Sequence, residues 1–84
     1  DKIQEIHQSL KKHFIIVSME NNSNQEPDMR KAIQSIAICL MFIENNMAEK
    51  YVIRDCRNMI YDMTKGLKSR EAKKCLKALL KIIK

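Results

Sequence analysis

The sequence predicts an all-α protein, a compact bundle of four to five helices. Apolar residues recur every three or four positions along most of the chain, and they make up 45% of it. Only one Gly and one Pro are present to interrupt helices. A chain of 84 residues is too short to divide its apolar side chains between two cores. We therefore expect residues 1–84 to form a single helical domain.

The first helix is predicted over about residues 1–17. Its stripe of Ile3, Ile6, Leu10 and Phe14 has helical spacing, and polar side chains occupy the other positions. Residues 18–27 are mostly polar and contain several Asn residues, which favours a surface loop. This loop is expected to be the longest connection in the domain.

The second helix is predicted over residues 28–45. Asp28 follows a proline and is the expected N-cap. The second half of this helix is apolar on nearly all sides, from Ile36 to Ile43. A helix of that kind is usually surrounded by others, so we expect it at the centre of the bundle.

Two further segments follow. Asn46 and Glu49 have capping-box spacing, which predicts a short helical segment over residues 46–51 with Met47 and Tyr51 facing inward. A longer helix is predicted over residues 52–65, with the turn at Gly66.

The last helix, predicted over residues 69–84 with Ser69 as its cap, is strongly basic. Residues 63–84 contain eight basic and one acidic side chain, whereas residues 1–62 are nearly balanced. A plain solvated face explains such lysines as readily as a binding surface does. As a binding surface, the patch would suit phosphate, an anionic membrane surface or an acidic protein segment, and charge alone does not choose among them.

Several classes of function are disfavoured. Cys39, Cys56 and Cys75 lie within apolar patterns, which predicts reduced thiols in the core. Only His7 and His13 could join them as zinc ligands, and the spacing is unsuitable. No glycine-rich phosphate loop or nucleophile motif is present, so we expect no enzyme, no cofactor, no metal and no small-molecule substrate. The longest apolar run is eight residues, too short to span a bilayer, and no membrane partner is expected.

Residues 3–11 carry the pattern apolar-Gln-x-apolar-His-x-x-apolar-Lys, and residues 28–36 open with Asp and a basic pair. Both segments resemble the first two helices of the integrase-binding domain of the lens epithelium-derived and hepatoma-derived growth factor family, within the wider superfamily of the TFIIS N-terminal domain. The later helices match by pattern rather than by identity. The resemblance implies a right-handed bundle that recruits nuclear partners to chromatin through short acidic, partly aromatic motifs.

The resemblance also implies a partner-binding site on two interhelical loops. The first-loop anchor of the family, an Ile followed by Asp, falls on Ile16 and Val17, so the acid is absent here. The second anchoring loop falls on residues 65–68, where Leu67 replaces the aromatic of the family. Vertebrate members include a lentiviral integrase among their partners, and these two departures predict a different partner set here. Arg54 and Arg57 resemble the basic helix flank of the family, and a surface salt-bridge role explains them as well. The candidate partner-binding residues are Ile16, Val17, Arg54, Arg57, Lys65, Gly66, Leu67 and Lys68.

The leading prediction is therefore a nuclear, non-enzymatic protein-interaction module that docks acidic linear motifs of transcription or chromatin factors. Two alternatives remain open. One is a nucleic-acid-binding domain that uses the basic last helix, although no aromatic side chain is expected near those lysines to stack on bases, and only Tyr51 and Tyr61 are available. The other is a structural oligomerisation module in which the apolar second helix is partly shared between copies.

Overall fold

A computed structural model describes residues 2–21, 26–47 and 50–83. Within these ranges the chain forms four helices and no strand: α1 (Lys2–Glu20), α2 (Pro27–Asn45), α3 (Val52–Met63) and α4 (Arg70–Ile82). The predicted all-α class and a helix count in the expected range are thus confirmed. Position 1, where the first helix was predicted to begin, and position 84, where the last was predicted to end, lie outside the described residues.

Helix α2 is the centre of the bundle, as its apolar circumference predicted. It packs against α1, α3 and α4, and α1 also packs against α4. Burying one large aliphatic side chain contributes about 1.5–3 kcal/mol, so this shared contact is the main source of stability. The largest fully buried apolar side chains come from all four helices: Leu10, Ile36, Cys39, Ile43, Val52, Cys56, Ile60 and Leu79, joined by Ile83 at the α4 C-cap.

The start of α2 differs from the prediction. Glu26, not Asp28, is the N-cap, because its carboxylate accepts the N–H groups of Asp28 and Met29 at 3.0 and 3.1 Å. Pro27 occupies the first helical position, where its missing N–H removes no helical hydrogen bond. The prediction for α4 is confirmed, since the Ser69 hydroxyl accepts the N–H of Ala72.

Helix α1 is longer than predicted. It continues to Glu20, and the Asn21 backbone N–H and side-chain Nδ2 both donate to the Val17 carbonyl, at 3.1 and 2.8 Å. These bonds satisfy a carbonyl at the helix end that would otherwise lack a partner. The connection to α2 is correspondingly shorter than the predicted loop over 18–27, and residues 22–25 lie outside the described residues.

The connection between α2 and α3 contains no helix at the described positions 46, 47, 50 and 51. Asn46 instead ends α2, donating its N–H to Ile43 and its side-chain amide to the Phe42 carbonyl. Glu49, the predicted capping partner, lies outside the described residues. The prediction that Tyr51 faces inward was wrong, because its ring is exposed and lies 4.4 Å from the Arg54 guanidinium.

The three cysteines are buried and unpaired, as predicted for core thiols. His7 is half-buried and hydrogen-bonded, with its Nε2 at 3.1 Å from Glu44 Oε1, so it links α1 to α2. Ser35 is the one buried polar side chain in the described part of the core, and its hydroxyl donates to the Ala32 carbonyl at 2.6 Å. The core therefore leaves no described polar side chain without a hydrogen bond.

Candidate functional site

Asp28, at the start of α2, binds the end of the connection between α3 and α4. Its Oδ2 accepts the backbone N–H of Lys68 at 2.7 Å and that of Ser69 at 2.9 Å. These two hydrogen bonds favour the ionised carboxyl and lower the pKa of Asp28. The start of α2 is thereby attached to the start of α4.

The connection between α3 and α4 turns its apolar residue inward and its lysines outward. The Thr64 hydroxyl donates to the Ile60 carbonyl and ends α3, and Gly66 then adopts a φ of 81°. Leu67 is 8% exposed and belongs to the core, whereas Lys65 and Lys68 are exposed. Leu67 is thus a support for this loop rather than an open contact surface.

The first predicted anchor lies in a helix. Ile16 and Val17 belong to the last turns of α1 rather than to the loop that follows it, because α1 continues to Glu20. Val17 is buried at 7% exposure, while Ile16 is 45% exposed beside the exposed Ile15 and Met19. Of the two residues, Ile16 is the one whose side chain is accessible to a partner.

A cleft lies between α1, α2 and α4 at this end of the bundle, and we call it the α1–α4 cleft. Its volume is about 420 Å³, within the range of small ligand pockets. Buried Val17, Met29 and Cys75 provide its apolar floor. The remaining lining residues are His13, Glu20, Asn21, Glu71, Lys74 and Ala78.

The Asp28 hydrogen bonds connect α2 and α4, which form two walls of this cleft. Met29 follows Asp28 directly on α2, and Glu71 lies two residues beyond Ser69 on α4. Inside the cleft, His13 Nε2 lies 4.0 Å from Cys75 Sγ. Burial raises the pKa of the Cys75 thiol, so this group is a neutral part of the floor rather than a reactive thiolate.

Only Val17 of the predicted site lines the cleft. Met29, Glu71, Lys74 and Cys75 were missed, because their contribution depends on how α4 packs beside α1. The core spacing of Met29 and Cys75 was visible in the sequence, but it does not distinguish a fully covered position from the floor of a cleft.

Arg54 and Arg57 lie away from this end. Arg57 Nη2 donates to the Ile83 carbonyl at 3.0 Å, at the C-terminal end of α4. At about 1.5 Å per residue, Arg57 lies roughly 9 Å along α3 from Met63, where that helix ends before the 64–68 connection. The two arginines, predicted to form a basic helix flank, thus lie apart from the 65–68 loop of the predicted site.

The basic face of α4 borders a second depression, between α3 and α4. Tyr61, Leu80 and the cations Arg57, Lys77 and Lys81 line it. The prediction that no aromatic side chain lies near these lysines was therefore wrong. Helical periodicity places residue 61 on the side of α3 that faces α4, one turn beyond Arg57.

Neither a metal centre nor a membrane span emerges from the described ranges. No group of three or more His, Cys, Asp or Glu residues there is arranged to hold a metal ion. No helix in the described part of the chain is long and apolar enough to cross a membrane.

The described residues form a small helical bundle whose surface includes a cleft at its loop end and a basic groove beside its last helix. No protein-family model matches the sequence, and comparisons with curated proteins and with solved structures find no significant match.

Proposed function

We propose that this chain is a nuclear protein-interaction module that docks short acidic, aromatic-containing segments of transcription or chromatin factors and tethers them to chromatin. The resemblance of residues 3–11 and 28–36 to the integrase-binding domain family suggests this class of partner. The observation that carries the proposal is the α1–α4 cleft, which has an apolar floor and lies beside the Asp28 hydrogen bonds that connect α2 to the start of α4.

The cleft suits one aromatic side chain. Its floor of Val17, Met29 and Cys75 is apolar, and a preformed cleft avoids the cost of ordering the site upon binding. An inserted aromatic ring would remove its own apolar surface from water, which is the usual role of an anchor residue at an interface.

The charges around the cleft determine how an acidic segment would lie. Glu20 and Glu71 on the rim disfavour a carboxylate directly above the cleft. Lys74 on the rim and exposed Lys65 and Lys68 on the neighbouring loop attract one. The aromatic residue would therefore enter the cleft while the acidic residues of the partner extend over these lysines.

An NMR titration tests the proposal. The ¹⁵N-labelled chain is titrated with a synthetic peptide that carries one Phe among Glu and Asp residues, and separately with a short DNA duplex. We expect saturable shifts of the amides of Ile16 and Val17 and of those in the 66–68 loop. A peptide that shifts none of these amides contradicts the proposal, and DNA-induced shifts along α4 would favour the nucleic-acid alternative.

A pair of variants locates the binding. Ala78→Phe places a ring at the α1–α4 cleft, whereas Ala37→Phe makes the same change in the groove between α1 and α2. Both alanines are half-buried on helices, so the two changes are matched. We expect Ala78→Phe alone to weaken the loop-end binding. Circular dichroism melting checks that both variants fold, and equal peptide affinity of the two would exclude the cleft as the anchor site.

The same samples test the oligomerisation alternative. Sedimentation equilibrium across a range of concentrations reports the mass of the free chain. A mass that stays at 9.9 kDa supports a monomeric docking module, and a mass that doubles with concentration supports the structural role.

A further inference from the structure

The groove between α3 and α4, which we call the α3–α4 groove, is a surface separate from the α1–α4 cleft. Its volume is about 500 Å³, and Arg57, Tyr61, Lys77, Leu80 and Lys81 line it. The cleft takes α4 positions 71, 74, 75 and 78, whereas the groove takes positions 77, 80 and 81. Helical periodicity places these two sets on different sides of α4.

The charge of the α3–α4 groove has one sign. Three of its five lining side chains are cations and none is an acid. In the described ranges neither Lys77 nor Lys81 forms an ion pair. Arg57 is held in place by its bond to the Ile83 carbonyl, and a guanidinium has five N–H donors with which to bind carboxylates.

The base of the groove is apolar. Tyr61 is 54% exposed, and Leu80 is half-buried against the core. The aliphatic stems of the two lysines extend this apolar surface while their ammonium groups stay in water. An apolar strip bordered by cations complements an amphipathic acidic peptide. A phosphate backbone would use only the cations and leave the Leu80 side chain without a partner.

We propose that the α3–α4 groove is a second docking surface, for an acidic protein segment that carries one large apolar side chain. The apolar side chain packs on Leu80 and the Tyr61 ring, and flanking carboxylates bind Lys77, Lys81 and Arg57. This inference goes beyond the function proposed for the α1–α4 cleft, because it concerns another face of α4. It can be tested separately from that function.

The test compares two double variants with the same change in net charge. Lys77→Glu with Lys81→Glu reverses two cations of the groove, and Lys11→Glu with Lys12→Glu reverses two exposed cations of α1. The probe is again a peptide with one Phe among Glu and Asp residues, and its affinity is read separately from the amides of Tyr61, Lys77 and Leu80. We expect a loss of at least about tenfold at these amides in the groove variant and a change within about twofold in the control.

A second probe separates the apolar contact from the charges. Replacing the Phe of the peptide by Ala should weaken binding at the groove several-fold, and Tyr61→Ala in the protein should do the same. Tyr61 is exposed, so its replacement leaves the core intact, and thermal melting verifies the fold of every variant.

Each outcome distinguishes the two surfaces. Peptide shifts confined to the Ile16, Val17 and 66–68 amides overturn the groove proposal and leave the loop-end proposal standing. Peptide shifts confined to the amides of Tyr61, Lys77 and Leu80 overturn the proposal for the α1–α4 cleft and support the groove proposal. Groove affinity that is equal in both double variants overturns the role of Lys77 and Lys81. If only the DNA duplex shifts the groove amides, the surface binds nucleic acid and the peptide proposal is wrong.

Discussion

The Asp28 carboxylate, in the first turn of α2, accepts the backbone N–H of Ser69, the N-cap of α4, at 2.9 Å across 41 positions of sequence. The same oxygen accepts the N–H of Lys68 at 2.7 Å. Ser69 in turn uses its hydroxyl to cap α4. One carboxylate therefore fixes where the last helix begins relative to the central helix.

Replacing Asp28 by Asn should lower the stability of the fold. An amide oxygen accepts the two N–H groups less strongly than a carboxylate, because hydrogen bonds to an ionised acceptor are the stronger ones. The urea midpoint of Asp28→Asn should fall below that of the native chain. Asp55→Asn is the matched control, since Asp55 is also an acid in the first helical turn, on α3, and its exposed pair with Arg54 at 3.8 Å contributes little. Equal midpoints for the two variants would show that the Asp28 bonds add nothing to stability.

The stabilisation from Asp28 should depend on pH. The N–H groups of Lys68 and Ser69 lower the pKa of Asp28 below its ordinary value of 3.8 in the folded protein. The folded state thus holds its proton less tightly than the unfolded state, and the contribution is fully present above that ordinary value. It is lost as pH falls through the lowered folded pKa. Urea unfolding between about pH 7 and pH 2 should show the native chain converging on Asp28→Asn in acid, and a constant difference would contradict this.

Helix identity could be predicted because its signals are local. The spacing of Ile6 and Leu10, the apolar circumference of α2 and the capping hydroxyl of Ser69 each act within a few residues of the chain. The choice between Glu26 and Asp28 as the cap of α2 could not be predicted. Both acids are suitably placed, and the decision depends on Lys68 and Ser69, which are distant in sequence.

The candidate site was less predictable than the fold. The α1–α4 cleft and the α3–α4 groove depend on how neighbouring helices pack, and no sequence period reports that packing. The resemblance put Ile16 in a loop, but two hydrogen bonds from Asn21 to Val17 extend the helix beyond it. Arg57 was included in the site because it resembles the basic helix flank of the family, whereas its bond to Ile83 places it at the C-terminal end of α4, away from the 65–68 loop.

The core of α2 should be far more sensitive to truncation than its surface. Ile43 is fully buried and Met41, two positions earlier, is 61% exposed. Ile43→Ala should lower the free energy of unfolding by about 2–5 kcal/mol, because it removes buried methyl groups and leaves a cavity. Met41→Ala should change it by no more than about 0.5 kcal/mol. Denaturant titrations of both variants measure the difference, and similar losses would mean that Met41 is covered in solution.

Removing the cap of α4 should weaken that helix. Ser69→Ala leaves the Ala72 N–H without its acceptor and should reduce the free energy of unfolding by about 1 kcal/mol. The backbone N–H of residue 69 would still bind Asp28, so the loss would report the Ser69 hydroxyl, which caps α4 and also donates to Glu71 Oε2 at 3.4 Å. Ser9→Ala, at an exposed position within α1, is the control and should be neutral or slightly stabilising, because Ala is the better helix former. A thermal melt distinguishes them, and equal melting temperatures would argue against the cap.

Gly66 should resist substitution for a reason of backbone conformation alone. Its φ of 81° is in the left-handed region, and a Cβ added there would meet no atom within 4 Å. Gly66→Ala should therefore cost about 1–2 kcal/mol from strain without any clash. Gly66→Asn should cost less, because Asn adopts this conformation more readily than other side chains. Urea unfolding should show the native chain as the most stable, then Gly66→Asn, and then Gly66→Ala as the least stable. An Ala variant as stable as the native chain would show that the turn at residues 64–66 relaxes to a negative φ.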